Sequence, residues 1–76
     1  MASLRNKVVL KKFGKYIKQL REEAGLTQAE LANDMDVEIS QISRIERGEV
    51  NTSVCTIIVL AKTLDLPPSK LLEIDF

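Results

Sequence analysis

The chain has 76 residues, of which 45% are hydrophobic and 29% are charged, as is typical of one small folded domain. It contains one cysteine and no histidine, which excludes an internal disulfide, metal sites built from histidine and cysteine clusters, and catalysis by an imidazole base. Eleven basic residues balance eleven acidic ones, and no apolar run reaches the roughly 20 residues that a membrane-spanning helix needs.

The zero net charge conceals an uneven distribution along the chain. Residues 1–21 contain seven basic residues and no acidic one, whereas residues 22–76 contain four basic and eleven acidic residues. A basic segment of this kind is suited to phosphate groups, but it is equally compatible with the solvated surface of a helix.

Apolar residues recur at helical spacing and no stretch alternates as a strand does, so the sequence predicts an all-α fold of five helices. We expect a flexible N-terminal arm over residues 1–7 and a single domain over residues 8–76. The first helix is predicted to begin at Val8 or Leu10 and to end at Ala24, before a left-handed glycine. Its buried stripe is expected to contain Phe13, Ile17 and Leu20.

The second helix is predicted to begin after Thr27, which forms a capping box with Glu30 three residues later. Leu31 and Met35 are expected to point into the core, and Asp36 is expected to make a tight turn. The third helix should then cover roughly residues 38–47, with Ile42 and Ile45 facing inward and Gly48 at its end.

The fourth helix is predicted to be capped by Thr52 or Ser53 and to run to about Asp65. Its buried stripe is expected to contain Val54, Ile57, Leu60, Ala61 and Leu64. Two prolines at residues 67–68 interrupt the chain, and a short fifth helix is predicted over residues 70–73.

Two short helices joined by a tight turn form a helix-turn-helix, in which the second helix enters the major groove of DNA. Glutamine suits adenine, arginine suits guanine, and serine can donate or accept a hydrogen bond. The outward face of the third helix is predicted to present Ile39, Ser40, Gln41, Ser43, Arg44 and Arg47. Of these residues, Ser43 and Arg47 are expected to contact DNA phosphate.

Phosphate contacts are expected at the starts of the second and fourth helices, where backbone N–H groups are free. Gln28 lies in the first turn of the second helix, and Asn51, Thr52 and Ser53 lead into the fourth. These residues are also suited to capping alone, and capping and phosphate binding can coexist.

Residues 27–32 read Thr-Gln-Ala-Glu-Leu-Ala, and residues 42–48 read Ile-Ser-Arg-Ile-Glu-Arg-Gly. This pattern resembles the helix-turn-helix of the phage Cro and repressor family, also called Xre-like regulators, and the resemblance covers roughly residues 13–72. It implies a sequence-specific transcription regulator that binds double-stranded DNA as a homodimer on a palindromic operator. It also implies that Ile39, Ser40 and Arg44 face the bases, and that Arg21 and Glu46 form a structural tie between helices.

Two residues depart from the family pattern. Asp36 stands where the turn usually has glycine, and Glu38 stands where serine or threonine usually caps the third helix. Glutamate is a weaker cap. Glu38 also brings a negative charge near the groove, where it either accepts a hydrogen bond from a cytosine amino group or repels phosphate.

The fourth helix is apolar at positions where the family is polar. Cys55 and Val59 lie one turn apart and away from the buried stripe, so we expect them to form a dimer interface with Ile58. The C-terminal end, containing Leu71, Leu72, Ile74 and Phe76, is a candidate for the same surface.

The alternative is an antitoxin or adaptor on the same fold, whose main partner is another protein and whose DNA binding is secondary or lost. In either case the sequence predicts a protein without metal or cofactor and without enzyme activity. The predicted location is the cytoplasm, at the nucleoid of a bacterium.

Overall fold

The computed structural model describes residues 5–76 as four α-helices and one 3₁₀ helix, without a strand in that range. In chain order the elements are α1 (Lys7–Glu23), α2 (Gln28–Met35), α3 (Ile39–Glu46), α4 (Val54–Thr63) and the 3₁₀ helix (Pro68–Leu72). The all-α prediction is confirmed, but the count of five α-helices is not, because the last element is a 3₁₀ helix of five residues. Short apolar connectors of this kind often adopt the tighter 3₁₀ geometry. None of the helices in residues 5–76 has the length and apolar character needed to cross a membrane.

Helix α1 begins earlier than the sequence predicted. The side-chain oxygen of Asn6 accepts hydrogen bonds from the backbone N–H groups of Val8, at 3.0 Å, and Val9, at 3.1 Å. Asn6 is therefore the N-cap, a role that asparagine fills well. Part of the predicted arm over residues 1–7 lies outside the described residues, and Lys7 already belongs to α1.

The predicted capping box of α2 is present. The Thr27 hydroxyl accepts from the backbone N–H of Glu30 at 3.1 Å, and the Glu30 carboxylate accepts from the backbone N–H of Thr27 at 2.9 Å. Asp36 ends α2 in the left-handed conformation, with φ 58° and ψ 44°, as predicted. Glu38 precedes α3 without a side-chain capping hydrogen bond, in agreement with its weakness as a cap.

Every helix contributes a large, fully buried side chain to a single core. These five residues are Ile17, Leu31, Ile42, Leu60 and Leu71. The predicted stripe of α1, Phe13, Ile17 and Leu20, is buried, while Met35 is only partly buried against the core. Because the core joins all five elements, the relative position of α2 and α3 depends on packing from α1 and α4.

Helix α4 corrects two predictions. Ser53 is its N-cap, one of the two predicted, but Val54 in the first turn is 71% exposed and does not belong to the buried stripe. The rest of the predicted stripe is buried or, for Ile57, partly buried. The helix ends at Thr63, before Asp65 turns the chain in the left-handed conformation with φ 58°.

Two glycines allow α1 to approach the end of α3 closely. A Cβ atom at Gly14 would lie 2.3 Å from the carbonyl oxygen of Ile45, and one at Gly48 would lie 2.7 Å from the Cα of Lys11. Gly48 also has a positive φ of 73°. Only glycine satisfies both the conformation and the space at residue 48.

Candidate nucleic-acid interface

The turn between α2 and α3 is held by backbone hydrogen bonds that the left-handed Asp36 makes possible. The N–H of Asp36 donates to the carbonyl of Asn33 at 3.1 Å, and the N–H of Val37 donates to the carbonyl of Ala32 at 3.0 Å. Val37 is partly buried and packs against the core. The turn therefore fixes the direction in which α3 leaves α2.

Helix α3 separates its residues into a buried face and an outer face. Ile42, Ile45 and Glu46 are buried. All five residues predicted to read bases are exposed: Glu38, Ile39, Ser40, Gln41 and Arg44. Ile39 is 49% exposed, so about half of its surface is accessible to a ligand.

The polar side chains of this outer face are free to meet a ligand. Within residues 5–76, neither a hydrogen bond nor an ion pair involves the side chains of Glu38, Ser40, Gln41 or Arg44. Arginine, amide and hydroxyl groups are the types that recognise base edges in a major groove. The outer face of α3 therefore has the chemistry of a recognition surface.

A buried ion pair holds α3 against α1. The Arg21 guanidinium donates from Nε to Oε2 of Glu46 at 2.7 Å and from Nη2 to Oε1 at 3.0 Å. Its third nitrogen, Nη1, donates to the carbonyl of Leu26 at 2.8 Å. The hydrogen bond to Glu46 raises the pKa of Arg21 above its usual value. The structure brings together the two residues that the sequence predicted as a tie.

Gln28 belongs to this tie, which the sequence did not predict. Its side-chain Nε2 donates to Oε1 of Glu46 at 2.9 Å. One of the two amide hydrogens is therefore engaged inside the protein, and only the other remains for the phosphate contact expected of Gln28.

The start of α4 adjoins the outer face of α3. Gln41 and Arg44 line a surface cavity of about 290 Å³ together with Asn51 and Ser53. The Ser53 hydroxyl also accepts from the N–H of Thr56 at 3.1 Å, so it caps α4. Predicted base-reading and phosphate-binding residues therefore share one surface.

Thr52 does not fit the role expected of it. The residue is only partly exposed, and its hydroxyl oxygen is buried without a hydrogen-bond partner within residues 5–76. In this conformation the hydroxyl cannot contact a phosphate. Asn51 and Ser53 remain candidates at this position, because both are exposed.

The end of α3 carries a further group of charges. Arg47 is exposed and forms an ion pair with Glu49 at 3.1 Å, while Ser43 is partly buried. Arg47 lies beside the start of α1, where it lines one cavity with Arg5, Lys7 and Lys11. We call these four residues the basic cluster. The sequence indicated an uneven charge, but it did not place the start of α1 next to the end of α3.

The outer face of α4 is apolar and exposed. Ile58 is 37% exposed and Val59 is 41% exposed, and Cys55 beside them is also exposed. In the C-terminal segment, Leu72 and Phe76 are exposed, but Leu71 is fully buried. Leu71 belongs to the core and is excluded from the predicted dimer surface, because the 3₁₀ helix directs it inward.

The sequence matches the profile of a helix-turn-helix family, HTH_3, over residues 17–71. It is 36% identical over 62 residues to the control protein C.BamHI of Bacillus amyloliquefaciens, covering 80% of this chain and 76% of that protein. These matches confirm the family resemblance that the two motifs predicted.

Solved structures of similar fold include two restriction-modification controller proteins. C.AhdI from Aeromonas hydrophila has a TM-score of 0.81 and 38% identity, and the match covers 84% of this chain and 97% of that one. Wild-type C.Esp1396I has a TM-score of 0.80 and 29% identity, covering 90% of this chain and 87% of that one.

Proposed function

Because the chain belongs to the HTH_3 family of helix-turn-helix proteins, we propose that it is a sequence-specific transcription regulator that binds double-stranded DNA as a homodimer. The observation that carries this proposal is the outer face of α3, where Ser40, Gln41 and Arg44 are exposed and lack partners within residues 5–76. A recognition helix enters a major groove with one face and packs into the core of its domain with the other. Helix α3 is suited to this role because the polar side chains on its outer face have no partners within residues 5–76.

The residues of α3 divide into roles by position. Residues early in a recognition helix reach base edges, which assigns base contacts to Ile39, Ser40 and Gln41, with Arg44 one turn further along. Arg44 suits guanine and Gln41 suits adenine, and Ile39 can cover a thymine methyl group. Asn51 and Ser53 would hold the phosphate backbone beside the same groove.

The homodimer is supported by the composition of α4. The helix reads Val-Cys-Thr-Ile-Ile-Val-Leu-Ala-Lys-Thr, so it is apolar around most of its circumference. Helices of this kind are normally covered on every side. Pairing the outer faces of two copies through Cys55, Ile58 and Val59 would cover them, and a two-fold axis there makes the operator an approximate palindrome.

The relatives suggest a more specific role. Both C.AhdI and C.Esp1396I are described as restriction-modification controller proteins. We propose that this chain is a controller of the same type in a bacterium or phage, acting in the cytoplasm at the nucleoid. It would be a binding protein rather than an enzyme.

The antitoxin or adaptor alternative is not favoured. The relatives named above are control proteins, and the outer face of α3 retains the chemistry of base recognition. That alternative predicts a stable complex with another protein and no selection of DNA sequence.

Selection from a randomised duplex library, with wild type and two arginine variants, tests the proposal. Wild type should enrich a palindrome with half-sites about 34 Å apart. Arg44→Ala should relax one position in each half-site, at a cost of about 1–3 kcal/mol. Arg47→Ala is the matched control, because loss of a phosphate contact weakens all sequences alike. If wild type enriches no sequence at low salt, the proposal is wrong.

A further inference from the structure

We propose that the basic cluster, Arg5, Lys7, Lys11 and Arg47, binds the DNA phosphate backbone beside the C-terminal end of α3. The proposal rests on the DNA-binding function proposed above and adds to it a backbone contact made by α1. It identifies a surface outside the helix-turn-helix as part of the DNA interface.

The basic cluster is fixed to the end of the recognition helix. Its four residues line a single cavity of about 440 Å³ together with Gly48 and Glu49. The backbone at Gly48 lies so close to α1 that an added Cβ atom would be 2.7 Å from the Cα of Lys11. The Arg5 guanidinium also donates to the carbonyl of Glu49 at 2.8 Å. The start of α1 therefore moves with the end of α3.

The acidic residue in this cavity does not neutralise it. Glu49 pairs with Arg47 at 3.1 Å, but the two side chains are 52% and 59% exposed. Ion pairs this exposed contribute little to stability, so Arg47 can exchange Glu49 for a phosphate at little cost. Four basic groups against one carboxylate leave a net charge of +3 on the cavity lining.

The fold does not require lysines at these positions. Lys7 is the first residue of α1, whose first turn holds no acidic residue, and its charge opposes the helix dipole. Lys11 lies four residues later on the same face, where like charges repel. Both residues are exposed. Their unfavourable placement is explained if an anion lies over them.

The other end of α3 is acidic. Asp34, Asp36 and Glu38 are exposed around the turn that precedes α3, whereas Arg44 and Arg47 lie toward its C-terminal end. In homeodomains, which are a helix-turn-helix variant, the C-terminal end of the recognition helix contacts the backbone. Phosphate attraction is thus concentrated where α1 meets α3.

A pair of double variants tests the proposal. Lys7→Gln/Lys11→Gln removes two charges from the basic cluster. Lys12→Gln/Lys15→Gln removes two charges from the same helix but from a different surface, beside Tyr16 and Asp75. Binding of each protein to the library-selected duplex, and to a duplex of unrelated sequence, is measured across a range of salt concentrations, and circular dichroism checks that each variant is folded.

We expect the first double variant to lower the slope of log K against log salt by about 2, one unit per lysine. Between about 50 and 200 mM salt, the factor by which its affinity decreases should therefore be about 16-fold smaller than the factor for wild type. The control should keep the wild-type slope, and the preferred sequence should be unchanged in both.

Three results overturn the proposal and differ in what they imply. If the slope is unchanged in the first variant while wild type still selects a sequence, the backbone contact is rejected and the proposed DNA-binding function is not. If the slope is unchanged but wild type binds poly-glutamate in a parallel titration and the first double variant does not, the basic cluster is assigned to an acidic protein instead. Wild type that binds neither duplex rejects the proposed function together with this inference.

Discussion

The guanidinium of Arg21 binds both carboxylate oxygens of Glu46 and so joins the last turn of α1 to the end of α3. The two contacts measure 2.7 and 3.0 Å, and the residues are 7% and 8% exposed. Gln28 at the start of α2 contributes a third hydrogen bond to the same carboxylate. One buried carboxylate therefore ties three helices, and the angle of the recognition helix depends on it.

Removing one partner of the Arg21–Glu46 ion pair should destabilise the protein far more than removing both. Arg21→Ala leaves the Glu46 carboxylate buried without a cation, with the Gln28 amide as its remaining hydrogen-bond partner. This should lower the free energy of unfolding by about 3–5 kcal/mol. Arg21→Met/Glu46→Leu should recover most of that loss, because apolar residues of similar volume replace both charges. Urea denaturation measures both, with Arg47→Ala as an exposed-arginine control that should change stability by less than about 1 kcal/mol. Equal losses in the Arg21 and Arg47 variants would contradict the prediction.

The close packing of α1 on α3 should make Gly14→Ala destabilising. Alanine usually favours a helix, but here its Cβ would lie 2.3 Å from the backbone oxygen of Ile45. Forcing the helices apart should cost about 1–3 kcal/mol and weaken DNA binding by displacing α3. Thermal unfolding and DNA titration measure the two effects. A more stable Gly14→Ala protein would show that α3 is not held this closely.

The capping box predicts a stability contribution that depends on pH. The hydrogen bond from the backbone of Thr27 lowers the pKa of Glu30 below its ordinary value of 4.5. A carboxyl group with a lowered folded pKa stabilises the protein above its unfolded pKa, and this contribution is lost as the pH falls through the folded value. Glu30→Gln should therefore destabilise at about pH 7 and progressively less toward about pH 3. Denaturation of Glu30→Gln at several pH values, with Asp75→Asn as the control, measures this; a loss that is constant with pH would refute it.

The weak cap at Glu38 should be open to improvement. Glu38→Ser supplies a side chain that accepts from the first turn of α3, with a gain of about 0.5–1 kcal/mol in the free energy of unfolding. It also removes a negative charge next to the predicted groove, so affinity for DNA of unrelated sequence should rise. Glu38→Gln, which neutralises the charge without adding a good cap, separates the two effects. Lower affinity of both variants for the selected operator alone would instead indicate that Glu38 reads a cytosine.

The outer face of α4 should control the oligomeric state. Val59→Asp places a charge at the centre of the proposed dimer surface and should shift the protein from dimer to monomer in sedimentation velocity experiments. Val54→Asp is the matched control, since Val54 is 71% exposed at the start of the same helix. If Val59→Asp remains dimeric at the same concentration, the two-fold axis lies elsewhere.

Local sequence patterns were sufficient to predict most of the helices. The Thr27 capping box, the left-handed Asp36 and the Ser53 cap depend on residues within four positions of one another, so short-range chemistry determines them. Predictions of whether a residue near the end of a helix packs against the rest of the domain were less accurate. Val54 is exposed in the first turn of α4, and Leu71 is buried because the 3₁₀ helix directs it inward; the periodicity of each element alone does not specify either result.

In the candidate site, too, local sequence patterns predicted some features, while others depended on contacts between helices. The motif predicted an outer face of α3 carrying Ser40, Gln41 and Arg44, because helical periodicity alone separates that face from Ile42 and Ile45. The family pattern added Arg21 and Glu46. Neither predicted that Gln28 donates to Glu46 or that the Thr52 hydroxyl is buried, since both depend on distances between helices.

The sequence by itself thus determined an all-α chain, the helix-turn-helix and the residues on its exposed face, because these follow from capping and from a period of 3.6 residues. Only the tertiary structure decided that Lys7 and Lys11 lie beside Arg47. It also decided that α1 packs closely against the end of α3 at Gly14 and Gly48. The physical reason is that side chains far apart in the chain come into contact only through packing of the shared core. The net charge of a sequence does not specify which of its charged residues share a surface.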